Sequence, residues 1–340
     1  MAETRTAPRH ALVTGSAGFI GHHVAARLLD DGWRVTGLDA MSDYYDPALK
    51  RARNARLEPR DGFAWVEGRL EDPDAFARAW GAGPFDAVIH LAAQAGVRHS
   101  IEAPGDYVDA NLRGTFALLE AARHRPPAHL LLASTSSVYG ANTAMPYREI
   151  DRADHQMSFY AATKKATEAM AHSYAHLYGL PTTMFRFFTV YGPWGRPDMA
   201  PSLFTSAIFE GRPIKLFNGG DMRRDFTFVG DLVERLVALI DVPPGDAPAG
   251  DFDSLSPVAP HRIVNIGTGR PTELAEFVAS IERAAGRAAL REMHPMQPGD
   301  VPATWADTTL QDALIGPRQV TPLQTGIDRF VDWFRDYHGA

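Results

Sequence analysis

The 340-residue sequence contains no cysteine, which excludes disulfide bonds, thiolate nucleophiles and metal centres ligated by cysteine. It also lacks an excess of positive charge: the formal net charge is -7, so no broad basic surface is available for nucleic acid or an anionic membrane. No apolar run approaches the roughly 20 residues that cross a bilayer, and the polar residues at 1–10 lack the apolar core of a signal peptide. These absences predict a cytoplasmic protein that binds neither nucleic acid nor a membrane.

Short apolar or β-branched runs alternate with helical patterns through the first half of the chain. The predicted strands lie at 10–14, 34–39, 63–67, 87–91, 129–134 and 183–188, and the predicted helices at 18–31, 46–57, 73–80, 105–124 and 159–178. Alternation of strand and helix favours parallel pairing through right-handed crossovers. We therefore expect an α/β fold, with a Rossmann-type doubly wound parallel sheet and a smaller C-terminal α/β substrate domain.

The composition of the sequence changes after Tyr191, where several prolines and glycines predict a loop. Beyond this loop the predicted elements are a helix at 203–210, a strand at 262–266 and a helix at 272–285. Residues 241–260 are rich in proline, glycine and aspartate and are predicted to form a surface insertion. We expect a first domain at 1–188, to which residues 225–267 return, and a second domain at 189–224 and 268–335.

A glycine-rich loop, with the sequence GSAGFIG, follows the first predicted strand. Gly15 permits a tight turn, Gly18 lets the backbone approach a pyrophosphate, and Gly21 allows the next helix to pack closely on the strand. Phe19 and Ile20 lie in the first turn of the helix predicted at 18–31, where free N–H groups and the positive end of the helix dipole favour an anion. The loop predicts a dinucleotide site, and a turn that merely needs glycine is the alternative interpretation.

Asp39 ends the second predicted strand, about where a carboxylate binds the ribose 2′-hydroxyl of a dinucleotide. A carboxylate at this place repels a 2′-phosphate, so Asp39 favours NAD over NADP. Two alternatives stay open. Asp39 can cap a turn before the next helix, and Lys50 or Arg51 can attract a phosphate.

Tyr160 and Lys164 are four residues apart on a predicted helix and therefore share one face. A tyrosine with a pKa of about 10 is a poor base at neutral pH, but a neighbouring ammonium and a positive nicotinamide ring favour the phenolate. The 34 basic residues include four lysines, Lys50, Lys164, Lys165 and Lys215. A lysine kept here in an arginine-rich chain favours a chemical role, namely NAD-dependent oxidation of a hydroxyl group. The alternative is an exposed lysine beside a packed tyrosine.

A run of four hydroxyl residues, Ser134-Thr135-Ser136-Ser137, lies at the end of the fifth predicted strand, at the edge where open α/β sheets bind ligands. Thr135 is predicted to hydrogen-bond the reacting oxygen and to share its proton. Hydroxyl groups that only cap the loop are the alternative.

These three features, in this order, resemble the extended short-chain dehydrogenase/reductase family of nucleotide-sugar epimerases, dehydratases and decarboxylases. The resemblance covers nearly the whole chain, through HLAAQ at 90–94, Asn111, RDF at 224–226 and PGD at 298–300. Longer stretches at 42–46, 94–98, 137–142 and 186–199 resemble the UDP-glucuronate 4-epimerases among the NAD-dependent epimerases and dehydratases of this family.

The resemblance implies tightly held NAD in the first domain, a UDP-sugar in the second, and a homodimer through helices around 107–124 and 159–178. Tyr160 would take the C4 hydroxyl proton while hydride passes to NAD⁺. The 4-keto sugar would then turn and be reduced on its other face, so that UDP-glucuronate and UDP-galacturonate interconvert. The implied catalytic residues are Thr135, Tyr160 and Lys164. The implied cofactor-binding residues are Gly15, Gly18, Phe19, Ile20, Gly21, Asp39, Leu91, Ala92, Ala93, Asn111, Tyr160 and Lys164. The implied substrate-binding residues are Arg98, Ser136, Ser137, Thr189, Arg196, Phe217, Arg224 and Asp300.

Hydroxyl groups stand where related decarboxylases and dehydratases carry acidic residues, at Ser136 and Ser137. Oxidation at C4 of a glucuronate gives a β-keto acid that loses CO₂ readily. We therefore expect these two serines, together with Thr189 and Arg196, to hold the carboxylate on C5 and prevent its loss.

Two positions depart from the family pattern. Arg69 stands where relatives often place an aspartate against the adenine amino group, so adenine recognition must differ. Gln297 stands where some relatives have an arginine, which weakens a contact with the diphosphate. His172 and His176 have the spacing of a zinc pair, but the HExxH pattern is absent, and we expect no metal.

Other functions stay open at this point. Within the family, the alternatives are a UDP-hexose 4-epimerase and a UDP-glucuronate decarboxylase. Outside the enzymes, the alternative is a dinucleotide-bound regulatory protein that has kept the fold, against which the intact Tyr160–Lys164 pair argues.

Overall fold

The computed structural model describes residues 7–245, 247–296 and 300–339. Within them the β-strands, in chain order, are β1 His10–Thr14, β2 Arg34–Asp39, β3 Phe63–Glu67, β4 Ala87–His90, β5 His129–Thr135, β6 Thr182–Phe187, β7 Thr189–Tyr191, β8 Ile214–Phe217, β9 Arg223–Phe228, β10 His261–Ile266, β11 Pro271–Glu273, β12 Arg291–His294 and β13 Ala303–Thr304. The α-helices, in the same order, are α1 Phe19–Asp30, α2 Pro47–Ala55, α3 Pro73–Gly81, α4 His99–Glu102, α5 Pro104–Tyr107, α6 Gly114–His124, α7 Phe159–Tyr178, α8 Ala200–Phe209, α9 Val229–Leu239, α10 Leu274–Ala285, α11 Thr309–Ile315 and α12 Leu323–His338. None of these helices is long and apolar enough to span a membrane.

Seven parallel strands form the central sheet, in the order β10-β6-β5-β4-β1-β2-β3. Val13 of β1 pairs with Gly37 of β2 on one side and with Ile89 of β4 on the other. The direction in which the strands are added reverses between β1 and β4, and ligands bind at the carboxyl ends of such sheets near this point. The predicted α/β, Rossmann-type doubly wound sheet is confirmed.

Helices cover both faces of this sheet, which explains why its inner strands are almost continuously apolar. One face packs against α1 and α9, with Leu28 and Leu232 in its core. The other face packs against α3, α6 and α7, with Leu118, Leu130 and Met184 in its core. All five residues of β1 and all four residues of β4 are buried.

The remaining strands form two smaller sheets beside the central one. β9 pairs with β11 antiparallel and with β7 and β13 parallel, and β8 pairs with β12 parallel. Helices α8, α10 and α12 pack on these strands around an aromatic core. In that core the rings of Phe226 and Phe277 stack with centroids 3.9 Å apart.

The chain crosses between the two parts more than once. Strand β9 lies wholly in the second sheet although it spans the predicted boundary at residue 225, whereas α9 packs on α1 and β10 joins the central sheet. We therefore place the return to the first domain at Val229, and the division into domains remains a prediction.

The insertion expected at 241–260 forms neither strand nor helix in its described residues. It is bound to α7 by the two histidines that have zinc-like spacing. His172 Nε2 lies 2.8 Å from Ser256 Oγ, and His176 Nδ1 lies 2.7 Å from the Val258 carbonyl. These bonds give both side chains a structural partner.

The predicted helix at 105–124 is interrupted, because a π-helical segment at Val108–Arg113 separates α5 from α6. The predicted helix at 272–285 begins two residues late, since Thr272 belongs to the strand that pairs with β9. A 3₁₀ turn at Ser136–Tyr139 follows β5 directly and brings the hydroxyl run to the sheet edge.

Candidate active site

A cleft of about 1470 Å³ runs along the carboxyl ends of the central sheet and between the two parts of the chain. A single small ligand typically occupies a pocket of about 300–1,000 Å³, so this cleft has room for more than one ligand. One wall carries the glycine loop, the ends of β2, β4 and β5, and the start of α7. The facing wall carries residues of β7, α8, β8 and β9.

The glycine loop is packed too tightly for any other residue at its key positions. Gly15 has φ +73°, and a Cβ added there would lie 2.8 Å from the Ala92 nitrogen. A Cβ at Gly18 would lie 2.9 Å from the Gly15 carbonyl oxygen, and a Cβ at Gly21 would overlap that same oxygen. Since α1 begins at Phe19, the open space beside the loop faces the N–H groups of a helix start.

Asp39 is buried at the end of β2, beside the glycine loop, and lines the cleft. Its carboxylate accepts hydrogen bonds from the Ala17 nitrogen at 3.0 Å and the Met41 nitrogen at 2.9 Å. The capping role considered from the sequence is thus present, and each carboxylate oxygen keeps a further acceptor position. Lys50 donates to the carbonyl and Oγ of Ser42 at 2.9 and 2.7 Å.

The segment after β4 forms the next part of the wall, with Leu91, Ala92 and Ala93 lining the cleft. Asn111, expected to bind the cofactor, lies behind this segment and is only 1% exposed. Its Oδ1 accepts from the Gln94 nitrogen at 2.8 Å, and its Nδ2 donates to the Gln94 carbonyl and to Thr163 Oγ1, both at 3.1 Å. These bonds let Asn111 hold the segment after β4 in place, and its expected contact with the cofactor remains a prediction.

Tyr160, Lys164 and Thr135 come together at the centre of the cleft. Helix α7 begins just before this tyrosine, where Ser158 Oγ accepts from the Ala161 nitrogen at 3.1 Å. Burial raises the pKa of Tyr160, while a hydrogen bond with Thr135 and the positive charge of Arg196 oppose that rise. Thr135 Oγ1 also accepts from the Ser137 nitrogen at 3.2 Å, which fixes its rotamer.

Lys164 is 2% exposed, and this burial lowers its pKa to about 8. The charge of Glu168, one turn further along α7, opposes the decrease. Burial alone would raise the pKa of Glu168, but hydrogen bonds and the charge of the Arg186 guanidinium lower it to about 2. Arg186 donates to both Glu168 carboxylate oxygens, at 2.9 and 2.8 Å. This buried pair gives Lys164 a fixed negative neighbour.

Hydroxyl groups from both walls and one guanidinium line the cleft together with Tyr160. Ser136, Ser137 and Thr189 are partly exposed to the cleft, and Arg196 reaches the same space from the turn after β7. Arg196 is held by Asp198, to which its Nε and Nη2 donate at 3.0 and 2.5 Å. Among the described residues, Asp198 is bonded by Nε and Nη2, and no protein acceptor lies on Nη1 of Arg196, which lines the cleft.

Further along the cleft lie the other expected substrate residues. Arg98 stacks on the Phe217 ring, 4.5 Å from its centroid, and pairs with Asp300 at 3.4 Å. Arg224 Nη2 donates to the Val301 carbonyl at 2.7 Å, and burial lowers the pKa of its guanidinium. Arg69 is about half exposed and pairs with Glu71 at 3.2 Å. Gln297 lies outside the described residues.

Comparison with known families decides the assignment of this arrangement. Residues 11–253 match the model of the NAD dependent epimerase/dehydratase family. The chain belongs to this family. The match includes the glycine loop, Asp39, the hydroxyl run and the Tyr160–Lys164 pair, so the predicted epimerase family is confirmed.

Several family members are similar over nearly the whole chain. A probable UDP-glucuronate 4-epimerase of Rhizobium meliloti is 54% identical over 95% of this chain and 96% of its own length. UDP-glucuronate 4-epimerase 4 of Arabidopsis thaliana is 44% identical over 97% of this chain and 76% of its own length. The Bacillus cereus UDP-glucuronic acid 4-epimerase, crystallised with UDP-glucuronic acid and NAD, superposes with a TM-score of 0.86 at 29% identity, over 96% of this chain and 99% of that one.

The cofactor-side residues of this epimerase-family chain fit NAD. The glycine loop and the N-terminus of α1 line the cleft without side chains at Gly15, Gly18 and Gly21, and the Asp39 carboxylate lies beside the loop, as a ribose hydroxyl requires. The glycine loop, Asp39 and Lys164 would hold the dinucleotide, and the predicted cofactor, NAD, is confirmed as that of the family.

Sequence reasoning missed three residues of this epimerase-family site. Glu168 follows Lys164 by four residues, so the helical spacing could have indicated it. Asp198 follows Arg196 by two residues, a pairing that no regular element predicts. Arg53 belongs to α2 and reaches the site only through tertiary contacts.

Proposed function

We propose that this chain is a UDP-glucuronate 4-epimerase that interconverts UDP-glucuronate and UDP-galacturonate. The observation that carries the proposal is the position of Arg196, which lines the same cleft as Tyr160 and whose charge opposes the rise that burial causes in the pKa of that phenol. A carboxylate on the carbon next to the reacting one would find its counter-charge there. The names of the relatives from Rhizobium meliloti and Arabidopsis thaliana support the same activity.

Tyr160 is the proton acceptor in the proposed reaction. Burial favours its protonated form, and the hydrogen bond with Thr135 and the charge of Arg196 favour the base form. Lys164 lies one helical turn away on α7 and is expected to add its charge. Thr135 bonds the tyrosine and is placed to hold the C4 oxygen of the sugar beside it. NAD held by the glycine loop, Asp39 and Lys164 would supply the acceptor and the later donor of the C4 hydride. Tyr160 keeps the proton while C4 is a ketone and gives it back to the oxygen after the sugar has presented its other face.

The carboxylate on C5 must survive while C4 is a ketone. Breaking the bond from C5 to the carboxyl carbon would release CO₂ and leave its electron pair as an enolate, and protonation at C5 would give a UDP-4-ketopentose. Return of the hydride to C4 would reduce this ketone to a UDP-pentose. Ser136, Ser137 and Thr189 offer neutral donors, and Arg196 offers a charge, so the carboxylate can be bound in its ionised form. Holding it in the plane of the ketone, away from the geometry of bond breaking, would slow the loss of CO₂.

The test of this proposal is the product formed from UDP-glucuronate by the parent and by a Thr189→Ala, Ser137→Ala double variant. We expect UDP-galacturonate from the parent, and from the double variant a larger share of UDP-pentose together with a higher KM for UDP-glucuronate. NMR and mass spectrometry distinguish these products. Ser280→Ala, outside the cleft, is the control and should keep the parental ratio. Parental product ratio and KM in the double variant would contradict the proposed role of these hydroxyls.

The same assay separates the alternative functions. Conversion of UDP-glucose to UDP-galactose without action on UDP-glucuronate would indicate a UDP-hexose 4-epimerase. UDP-pentose as the main product of the parent would indicate a decarboxylase. A parent that binds NAD and converts neither sugar would be a regulatory protein.

We infer that the chain forms a homodimer through α6 and α7. The support is exposed apolar area on these helices, where Phe116 is 50% exposed, Phe159 41% and Leu177 63%. Side chains of this size are seldom so exposed on adjacent helices of a monomer. The cytoplasmic location stays a prediction.

A further inference from the structure

Arg53, on α2, is fully buried with 0% exposure, and its guanidinium uses all five N–H groups. Nη1 donates to the Ala17 carbonyl at 3.2 Å and to Tyr45 Oη at 2.7 Å. Nε and Nη2 donate to the Trp194 carbonyl at 3.0 and 2.7 Å, and Nη2 donates to the Gly195 carbonyl at 3.1 Å. Most of its acceptors are thus backbone carbonyls from two distant segments.

The first of these segments is the glycine loop. Ala17 lies between Gly15 and Gly18, and its nitrogen is bound by Asp39 on the opposite side. Any ligand that orders this loop therefore also orders the carbonyl that Arg53 holds.

The second segment is the turn at 192–195, which precedes Arg196. Trp194 has φ +62° there, a left-handed conformation that is unfavourable for a residue with a Cβ. Such conformations persist where the surroundings hold them, and Arg53 binds the Trp194 carbonyl with two donors. His23, from α1, adds a bond to the Pro193 carbonyl at 2.9 Å. The turn that presents Arg196 is therefore fixed by the part of the chain that carries the glycine loop.

The buried positive charge of Arg53 is a second reason to connect the glycine loop with the turn at 192–195. Among the described residues, no carboxylate forms an ion pair with Arg53, although the guanidinium is completely buried. A buried charge without a counter-charge is unfavourable, and a bound diphosphate beside the glycine loop would supply negative charge to this region.

We propose that Arg53 is a positioning residue that couples occupancy of the NAD site to the placement of Arg196. With NAD on the glycine loop, Arg53 fixes the turn at 192–195 and so sets the guanidinium that receives the carboxylate of the sugar. The part of this proposal that concerns the sugar rests on the proposed function, whereas the coupling between the two segments does not.

Hydrogen–deuterium exchange of residues 192–199, with and without saturating NAD and without any sugar, tests the coupling. In the parent we expect NAD to slow exchange in this segment by roughly fivefold or more, the effect of about 1 kcal/mol of local stabilisation. In Arg53→Met, saturated with NAD, the segment should show no such slowing. Equal NAD-dependent slowing in this variant and the parent would overturn the proposal.

Two further variants guard against misfolding and against a simple effect of charge. Arg53→Lys keeps the charge, but one ammonium cannot reach both the Ala17 carbonyl and the carbonyls of the turn at 192–195. The NAD-dependent slowing of exchange should therefore be lost in this variant too. If Arg53→Lys behaves like the parent, charge alone carries the effect and the proposal is wrong. Arg56→Gln is the matched control, because Arg56 directly follows α2, is exposed, and lies over the Trp194 ring, 5.1 Å from its centroid, without bonding the Trp194 carbonyl. It should retain the parental slowing.

The products from UDP-glucuronate give an independent readout. A misplaced Arg196 should increase the share of UDP-pentose in Arg53→Lys several-fold, and an unchanged share would contradict the link to the sugar. If the parent forms no UDP-galacturonate, the proposed function fails. The exchange experiment contains no sugar and would still decide the coupling.

Discussion

Lys164 shows how one residue can serve the site at the expense of stability. Its ammonium is buried, and the lowered pKa of about 8 means that the folded protein holds this proton less firmly than the unfolded chain does. The proposed reaction needs the charge beside Tyr160, whereas folding disfavours it. Conflicts of this kind are common at active sites.

We predict that Lys164→Met is inactive but more stable than the parent at neutral pH. Below pH 8 the lysine is charged in both states, so the parent bears the full penalty. A shift from 10.5 to about 8 corresponds to at most about 3 kcal/mol. Between the two values the unfolded chain binds more protons than the folded protein, so parental stability rises with pH and the difference shrinks towards pH 10.5.

Thermal unfolding of the NAD-free proteins from pH 7 to 10 measures this difference. Lys165→Met is the control, because Lys165 is partly exposed and pairs with Glu168 at 3.2 Å, so its removal should bring no gain. A Lys164→Met protein less stable than the parent at pH 7 would show that the ammonium stabilises the fold.

At the residue scale, the sequence predicted the residues that line the cleft better than the residues that hold them in place. The residues after strand ends and the four-residue spacing of Tyr160 and Lys164 follow from local rules, and the structure brings them together. The hydrogen bonds of Asn111 with Gln94 and Thr163 were not predicted, because they depend on the π-helical segment that carries this residue. The catalytic and binding roles of the residues that the sequence assigned to the site remain predictions.

At the element scale, the joint between β1 and α1 depends on glycine at the point of closest approach. A Cβ at Gly21 would overlap the Gly15 carbonyl oxygen, and this neighbour is backbone that cannot move aside. A Cβ at Gly21 would therefore displace the start of α1, together with the N–H groups that are expected to bind an anion.

We therefore predict that Gly21→Ala loses bound NAD and at least about 1–3 kcal/mol of stability, as overpacking does. NAD released from the purified protein and the free energy of unfolding in denaturant measure the two effects. Gly81→Ala is the matched control, because Gly81 ends α3 and a Cβ there meets nothing within 4 Å. If Gly21→Ala retained NAD at the parental level, NAD binding would not depend on the close packing of α1 on the glycine loop.

The first six strands of the central sheet were predicted to within one residue at each end, because buried parallel strands between helices give a strong pattern. Helix α9 and the second sheet were not predicted. Strand β9 begins with two arginines and leads directly into α9 without a turn residue, which hides both elements. Helix α12 has an apolar stripe at Ile327, Phe330, Val331 and Phe334 that the sequence could have revealed.

At the scale of the whole molecule, the cleft lies where two separately packed parts meet. The cofactor side belongs to the central sheet, and the sugar side belongs largely to the smaller sheets and α8. Arg53 and His23 bind the turn between them, so the relative position of the two sides is set by hydrogen bonds as well as by packing.

The proposed homodimer predicts a sedimenting species of twice the 37.2 kDa chain mass. Replacing Phe116 and Phe159 by aspartate should convert it to the monomer, because charges would then be buried in the interface. Leu290→Asp is the control, since Leu290 is 59% exposed and lies outside α6 and α7. A parent that sediments as a monomer at micromolar concentration would contradict the inference.

The central claim is that Tyr160 and its neighbours perform a transient oxidation at C4 of UDP-glucuronate while the carboxylate is kept. UDP-glucuronate labelled with deuterium at C4 tests this claim most directly, with NMR of the product as the measurement. The account predicts UDP-galacturonate that retains deuterium at C4, and no product from Tyr160→Phe. Loss of the label to solvent, UDP-pentose as the main product, or full activity of Tyr160→Phe would contradict it.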